Sequence, residues 1–248
     1  MNTRFASVRN GLTLIVGLLL LWQLLYLWTG DVALASPLQT FRYTARLFAE
    51  DAFDLQVYET LRAFAIAYAL SVVIGLAVGF WLGFDRLSGD ALEPMIVSVY
   101  AVPKLTLYPI LLLAFGLSLS AKVAFGVIHG VIPIILFTLS AVHNTKPILI
   151  KTGRVMKLTR WQMVRWILFP AAIPEIFTGL RVGFALTLIG SLLAEMFASQ
   201  RGLGYHLMNG IGLHNVELIM SVTLIIVVFA AAVSVILLHI DHRLHRRS

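Results

Sequence analysis

Six stretches of this 248-residue chain are long and apolar enough to cross a bilayer as helices, and that leaves few other folds open. They run roughly over 12–28, 61–84, 95–117, 123–142, 176–197 and 218–240. A bilayer core holds no water to satisfy backbone groups, so such segments must close their hydrogen bonds internally. The rest of the chain agrees: 12% of residues are charged, where a soluble domain carries about a quarter. The expected fold is an all-α membrane protein of six transmembrane helices. It forms one domain over residues 1–248, since no repeat or low-complexity linker divides the chain.

Arg4 and Arg9 precede the first run, and Ala33-Leu34-Ala35 has the look of a signal-peptidase site. The run is nevertheless as long as a full span and ends in Trp22, Tyr26 and Trp28, which suit an interfacial belt. An uncleaved first helix is expected, with a cleaved signal as the alternative.

A formal charge of +7 raises nucleic acid as a partner, but the basic residues sit in short clusters between apolar runs, as at a cytoplasmic membrane face. With both termini inside, the inner segments hold Arg4, Arg9, Arg86, Lys146, Lys151, Arg154, Lys157, Arg160, Arg165, Arg243, Arg246 and Arg247. The outer ones hold Arg42, Arg46, Arg62, Lys122 and Arg201, and twelve against five puts both termini in the cytoplasm. The absence of cysteine excludes disulfides, thiolate metal sites and Cys nucleophiles.

Ser71, Gly75, Gly79 and Gly83 recur at every fourth position and so share one helix face, a pattern that predicts a tight helix–helix seam. Pro103 and Pro109 fall in the third stretch, Pro133 in the fourth, and Pro170 and Pro174 enter the fifth. Each removes a backbone donor. Freed polar groups at membrane depth belong inside a bundle or along a wet path, which favours a transporter.

The segment 144–170 separates two spans and is basic, half apolar and free of acids between Lys146 and Pro170. Asn144-Thr145-Lys146-Pro147 reads as a helix start. Ile148, Leu149, Thr152, Val155 and Met156 then fall on one face, with Lys151, Arg154 and Lys157 opposite. Thr159-Arg160-Trp161-Gln162 fits a capping box that opens a second helix carrying Trp161, Val164, Trp166 and Ile167. Two short helices along the inner membrane surface are expected, held by anionic lipid or by a protein partner.

With these spans and this loop, the chain resembles the permease subunits of bacterial ABC importers, in the branch that handles nitrate, sulfonates, taurine and thiamine-related pyrimidines. The resemblance runs through "SPLQTF", "TLRAFAIAYALSVVIGLAVGFWLG", "LEPMIVSVYAVPKLTLYPILLLAFGLSLSAKV" and "FPAAIPEIFTGLRVGFALTLIGSLLAEMFASQRGLGY". The family signature in the loop is Glu-Ala-Ala, three residues, Gly, nine residues, then Ile, any residue, Leu, Pro. Here Ile167 and Pro170 keep its second half, with Phe169 standing for Leu, while Lys151, Thr152 and Gly153 replace Glu-Ala-Ala and Lys157 replaces Gly. The resemblance implies a coupling helix, residues 151–159 with Trp161 (Arg154, Val155, Met156 and Leu158 among them), that docks in a groove of a separate ATPase. Lys151 inverts a charge there, and Lys157 at a glycine position costs about 1 kcal/mol if the backbone is left-handed. Either the ATPase has co-adjusted, or this chain is the divergent half of a heterodimeric permease.

No phosphate-binding Gly-x4-Gly-Lys-Ser/Thr loop occurs, so ATP and magnesium would sit on the partner ATPase. No His-Glu-x-x-His or Gly-x-Ser-x-Gly motif marks an intramembrane enzyme, and a passive channel has no need of the loop. His239, His242 and His245 could share a helix face, but beside Arg243, Arg246 and Arg247 they read as a solvated tail rather than a metal site. Arg181 and Glu195 bracket the fifth span, roughly 20 Å apart along a helix. Arg181 is read as an inner-interface residue, and Glu195 as a residue of the outer mouth, near the delivering protein or a gate. Arg62, Lys104 and Arg181 are the cationic candidates along a path for an anion. The expected machine has two permeases, two ATPases and an external solute-binding protein in a bacterial inner membrane.

Overall fold

Helices α1 (Asn2–Thr29), α2 (Pro37–Leu47), α3 (Asp51–Phe84) and α4 (Arg86–Ala101) lead into a 3-10 turn at Lys104–Leu107 and then α5 (Tyr108–Phe115). After α6 (Leu119–His143) come two short helices, α7 (Pro147–Val155) and α8 (Arg160–Met163), and a π-helical turn at Val164–Leu168. The chain ends with α9 (Phe169–Ala198), α10 (Leu203–Gly212) and α11 (Val216–His245). The computed structural model describes residues 2–245, and among them there is no strand. The side chains of Arg4, Arg9, Arg160, His242, Arg243 and His245 lie outside the described ones, as do Arg246 and Arg247.

Among the described residues, four helices are long and apolar enough to cross a membrane: Ala52–Phe84, Leu119–His143, Trp161–Phe197 and Val216–Asp241. A fifth span exists only as a bent pair, Arg86–Ala101 with Lys104–Phe115, turned by 85° at the break. The first of the six expected stretches lies in α1, whose apolar part, Thr13–Thr29, is shorter than the other spans.

Two expectations about these stretches need correction, while the break expected from the prolines of the third is present. There Pro103 cannot donate to the Val99 carbonyl and its ring disfavours a helical residue before it; Val102 is extended, at φ −63° and ψ 132°. The second begins ten residues earlier than the apolar run, at Asp51, because Phe53 and Thr60 of its polar first part are buried against other helices. The fifth is continuous with the loop helix. Pro170 sits in the first turn of α9 and Pro174 lies inside it, and the wide π turn just before them absorbs the missing bonds. Pro133 is likewise carried within α6.

Helix α6 forms the axis of the bundle, packed between α3 and α9. Gly75 and Gly79 of α3 face Ile134 and Thr138 of α6, where an added Cβ would come within 2.6 Å of either side chain. Gly83 meets Val142 in the same way, and Ser71, on the same face, is fully buried with its hydroxyl donating to the Ala67 carbonyl at 2.8 Å. Across the axis, Gly183 of α9 meets Ile134, and Gly130 of α6 leaves room for Thr187. Backbones bare of side chains on both sides let α6 sit at van der Waals distance from two neighbours, the packing that holds helices together in lipid.

At one end of the bundle α2, the start of α3, α10 and the start of α11 enclose a cluster of Leu47, Phe53, Leu203, Leu218 and Val222. Ser36 and Gln39 form a capping box that opens α2, with Pro37 in its first turn. The α7–α8 loop lies at the opposite end, between the last residues of α6 and the first of α9.

Candidate functional site

Two groups of residues carry chemistry, one at each end of the bundle. In the loop, Asn144 and Thr145 do not cap α7 as expected. They bond back to α6, Asn144 Nδ2 donating to Ser140 Oγ at 3.0 Å and Thr145 Oγ1 to the Ala141 carbonyl at 3.1 Å. The N-cap is Lys146, with no side-chain bond, so α7 starts on the fixed φ of Pro147 alone.

The end of α7 is closed more firmly. Lys157 has φ +51°, its N–H donates to the Arg154 carbonyl at 3.0 Å, and the Leu158 N–H donates to the Gly153 carbonyl at 3.1 Å. That is a Schellman motif with lysine at the position glycine usually fills. Gly153 is the one buried residue of α7, and a Cβ there would lie 2.6 Å from Met163 Sδ and 2.7 Å from Ile167 Cδ1. Thr159 and Gln162 form the capping box: the Thr159 N–H donates to Gln162 Oε1 at 2.9 Å and the Gln162 N–H to Thr159 Oγ1 at 3.3 Å. The helix it opens does not lie apart on a membrane surface but runs through the π turn into α9. Phe169 stacks obliquely on Phe80 of α3, ring centroids 5.9 Å apart, and Pro170 opens α9.

Both expected faces of α7 are left uncovered by this chain. Lys151, Thr152, Arg154 and Lys157 are exposed, and so are Val155, at 83% of its surface, and Met156. Trp161 (70%) and Trp166 (68%) are exposed on the next helix, with the Arg165 guanidinium 6.0 Å from the Trp166 ring. Phe80, Trp161, Val164, Arg165 and Phe169 border an open hollow of about 400 Å³.

The opposite end centres on Glu195, which is fully buried. Its Oε2 accepts from Thr60 Oγ1 of α3 at 2.7 Å and from the Gly204 N–H of α10 at 3.0 Å. Its Oε1 lies 3.8 Å from Lys122 Nζ of α6. Thr60 in turn accepts from the Leu203 N–H at 2.7 Å, Gln56 Oε1 accepts from the Gly202 N–H at 2.8 Å, and Lys122 donates to the Arg201 carbonyl at 2.9 Å. The first turn of α10 is thus capped by α3 and α9, and a carboxylate beside its free N–H groups also meets the positive end of the helix dipole. Gly202, at φ +115°, lies so close to the Glu195 carboxyl that a Cβ has no room.

The cationic candidates do not converge. Arg62 is exposed on α3, two residues from Thr60 and so near the level of Glu195. Arg181, about 21 Å further along α9, pairs with Asp241 of α11 at 3.6 Å. Lys104 lies in the broken span and bonds to the Tyr100 carbonyl. Burial closes Glu195 to any docking protein in this conformation. The sequence reading missed Lys122, Thr60 and Tyr108, whose hydroxyl donates to the Ala194 carbonyl at 2.6 Å. Opposite charges at the facing ends of adjacent antiparallel helices, Lys122 opening α6 and Glu195 closing α9, were the available signal. His239 stands exposed on α11, and among the described residues no three His, Cys, Asp or Glu side chains gather as a metal site.

The same fold occurs in the methionine ABC transporter MetNI, solved in inward-facing conformations, at a TM-score of 0.67 and 20% identity over 76% of this chain and 94% of that one. An amino acid ABC transporter crystallised with histidines superposes at 0.60 with 17% identity, over 86% and 99% of the two chains. At such identities the likeness is one of fold alone: a helical bundle of the type I ABC importer permease class. The chain belongs to the family described as binding-protein-dependent transport system inner membrane components, whose model matches residues 71–248, and it is therefore a transport subunit and not an enzyme. The nitrate import permease protein NrtB of Synechocystis is 31% identical over 197 residues, 76% of this chain and 71% of that protein. The formylaminopyrimidine transport permease protein ThiX of Halalkalibacterium halodurans is 29% identical over 189 residues, 76% and 75% of the two. A putative aliphatic sulfonates transport permease, SsuC of Bacillus subtilis, is 26% identical over 145 residues, 58% and 52% of the two.

Proposed function

We propose that this chain forms the translocation path of an ATP-driven importer for a small anionic solute handed over by a binding protein. Two permease subunits stand on two ATPases, which hold the ATP and magnesium. The nitrate and sulfonate relatives support the solute class. The observation that carries the coupling role is the loop itself. Its backbone is closed by its own Schellman motif and capping box, yet its basic and apolar faces are both uncovered. A rigid element that leaves Val155, Met156 and Trp161 bare is shaped for a groove in another protein. Its cations, with no acid between Lys146 and Pro170, suit the cytoplasmic side, so both termini are assigned there.

The charge inversion at Lys151 then calls for an acidic side chain in the ATPase groove. Lys157 supports the view that the loop still works, since it holds the left-handed backbone a glycine would give. In the cycle, ATP draws the ATPases together, the 147–166 loop moves with them, and the bundle opens at the Glu195 end to accept solute.

Native mass spectrometry of the chain extracted in mild detergent tests the assembly. Two copies with two ATPases, together with ATP-dependent uptake in proteoliposomes, are the expected result. One copy beside a different permease would instead favour the heterodimer, a reading to which the altered signature at Lys151 and Lys157 also points. Neither partner after cross-linking would overturn both.

A further inference from the structure

The broken span carries more than a bend. Tyr108 packs on Phe125 of α6, ring centroids 4.8 Å apart. Phe125 is six residues inside α6, about 9 Å from its start, and α5 runs from Tyr108 back towards that start. The turn at Lys104–Leu107 precedes Tyr108 and extends the same arm about 8 Å deeper. The break at Val102–Leu107 therefore sits near mid-depth in the bundle. In a continuous helix the Lys104 N–H would bond to the Tyr100 carbonyl. Here the side chain takes that place, Lys104 Nζ donating to Tyr100 O at 2.9 Å while lying 4.5 Å over the Tyr100 ring. Among the described residues no carboxylate lies within ion-pair distance of it.

Lys104 is only half-buried and the irregular backbone is not covered by this chain: Val102, Pro103, Leu105 and Thr106 are all exposed. Lipid does not tolerate such a surface. Non-helical backbone and an ammonium at mid-depth persist only where protein buries them or water reaches them.

We propose that Val102–Leu107 lines the aqueous path at mid-depth and that Lys104 is the contact for a passing oxyanion of the sulfonate or nitrate type. The Tyr100 carbonyl and ring act as a resting place for the ammonium between solutes: both are neutral partners, which an anion displaces more readily than it would a carboxylate. The Thr106 hydroxyl, now donating to the Pro103 carbonyl at 2.7 Å, is the neighbouring polar group on the same uncovered surface. Arg181, held by Asp241, and Lys122, held by Glu195, have no comparable freedom. This assignment rests on the chain being an importer permease, and it names the residue that meets the solute.

The chain has no cysteine, so a single introduced one is unique within it, and labelling is read on this chain after separation from its partners. Thr106→Cys, and as a lipid-facing control Leu113→Cys (Leu113 is 89% exposed on α5), are compared in the whole transporter in proteoliposomes, at rest and under ATP turnover. The probes are sulfonate-bearing and trimethylammonium-bearing methanethiosulfonates. Thr106→Cys is expected to react with both, and Leu113→Cys with neither. Adding Lys104→Gln is expected to lower the anionic-to-cationic rate ratio about tenfold, and Lys104→Arg to preserve it. No reaction at Thr106→Cys in either condition, or a ratio indifferent to Lys104→Gln, overturns the proposal. The labelling is also read on the permease alone, so a chain that binds no ATPase yet gives the expected ratios refutes the importer reading and leaves the oxyanion contact standing.

Discussion

The two ends of the bundle solve the same local problem and differ in everything around it. At both, a short helix ends in a Schellman motif with a non-glycine residue in the left-handed conformation: Lys157 after α7 and His214 after α10, at φ +51° and +53°. Around His214 the chain completes itself. The Asn215 side chain accepts from the Leu218 N–H at 3.0 Å, and α10 is sealed to α3 and α9 through Thr60 and Glu195. Around Lys157 little is completed beyond the backbone, and cations and tryptophans face outward. One end is a closed structure held by its own ion pair. The other leaves its cations and tryptophans uncovered.

Removing the ion pair is the severest way to test that contrast. Glu195→Ala strands the buried Lys122 and the donors of Thr60 and Gly204. It is expected to cost about 3–5 kcal/mol in detergent unfolding, whereas Lys151→Ala changes stability by less than about 0.5 kcal/mol. Equal losses from the two would end the distinction. Next in size is Gly202→Ala, which must hold φ near +115° and move the Glu195 carboxyl; a loss of about 1–3 kcal/mol is expected by the same measurement.

Lys151→Glu sharpens the comparison from the other side. Thermal unfolding of the permease should not move, while ATP-dependent uptake falls about tenfold, equivalent to about 1.4 kcal/mol of lost docking. Recovery with a basic residue at the facing ATPase position would identify the acidic partner. The smallest effect concerns the two strained turns. Lys157→Gly and His214→Gly should each stabilise by about 0.5–1 kcal/mol, the relief of left-handed strain less the extra freedom of glycine in the unfolded chain. A gain at one turn only would show that the two are not equivalent.

Much of the loop was legible because its determinants are local. A hydroxyl three residues before an amide closes a capping box whatever surrounds it, and Thr159 with Gln162 does so. The glycine ladder of α3 was legible for the same reason: a four-residue spacing puts Gly75, Gly79 and Gly83 on one face before any partner is known. Asn144 and Thr145 were misread because their polar groups had a second choice, the Ala141 carbonyl and Ser140 hydroxyl near the end of α6, and only the folded chain shows which is nearer. The proline readings divide in the same way. Pro133, Pro170 and Pro174 stay inside continuous helices, because neighbouring turns adjust around them. Pro103 breaks its span, because the residue before it swings to an extended conformation and no turn compensates.

By itself, then, the sequence determined that this chain is a helical membrane protein, where most of its apolar helices lie, and that its basic loop is amphipathic. These follow from periodicity and from the cost of exposed backbone in lipid, which act over a few residues. Only the tertiary structure decided that Lys122 and Glu195 meet across 73 positions, that α10 is capped by a different helix, and that Lys104 stands half-buried beside an exposed break. Burial and pairing are properties of neighbours distant in the chain, and no local spacing encodes them.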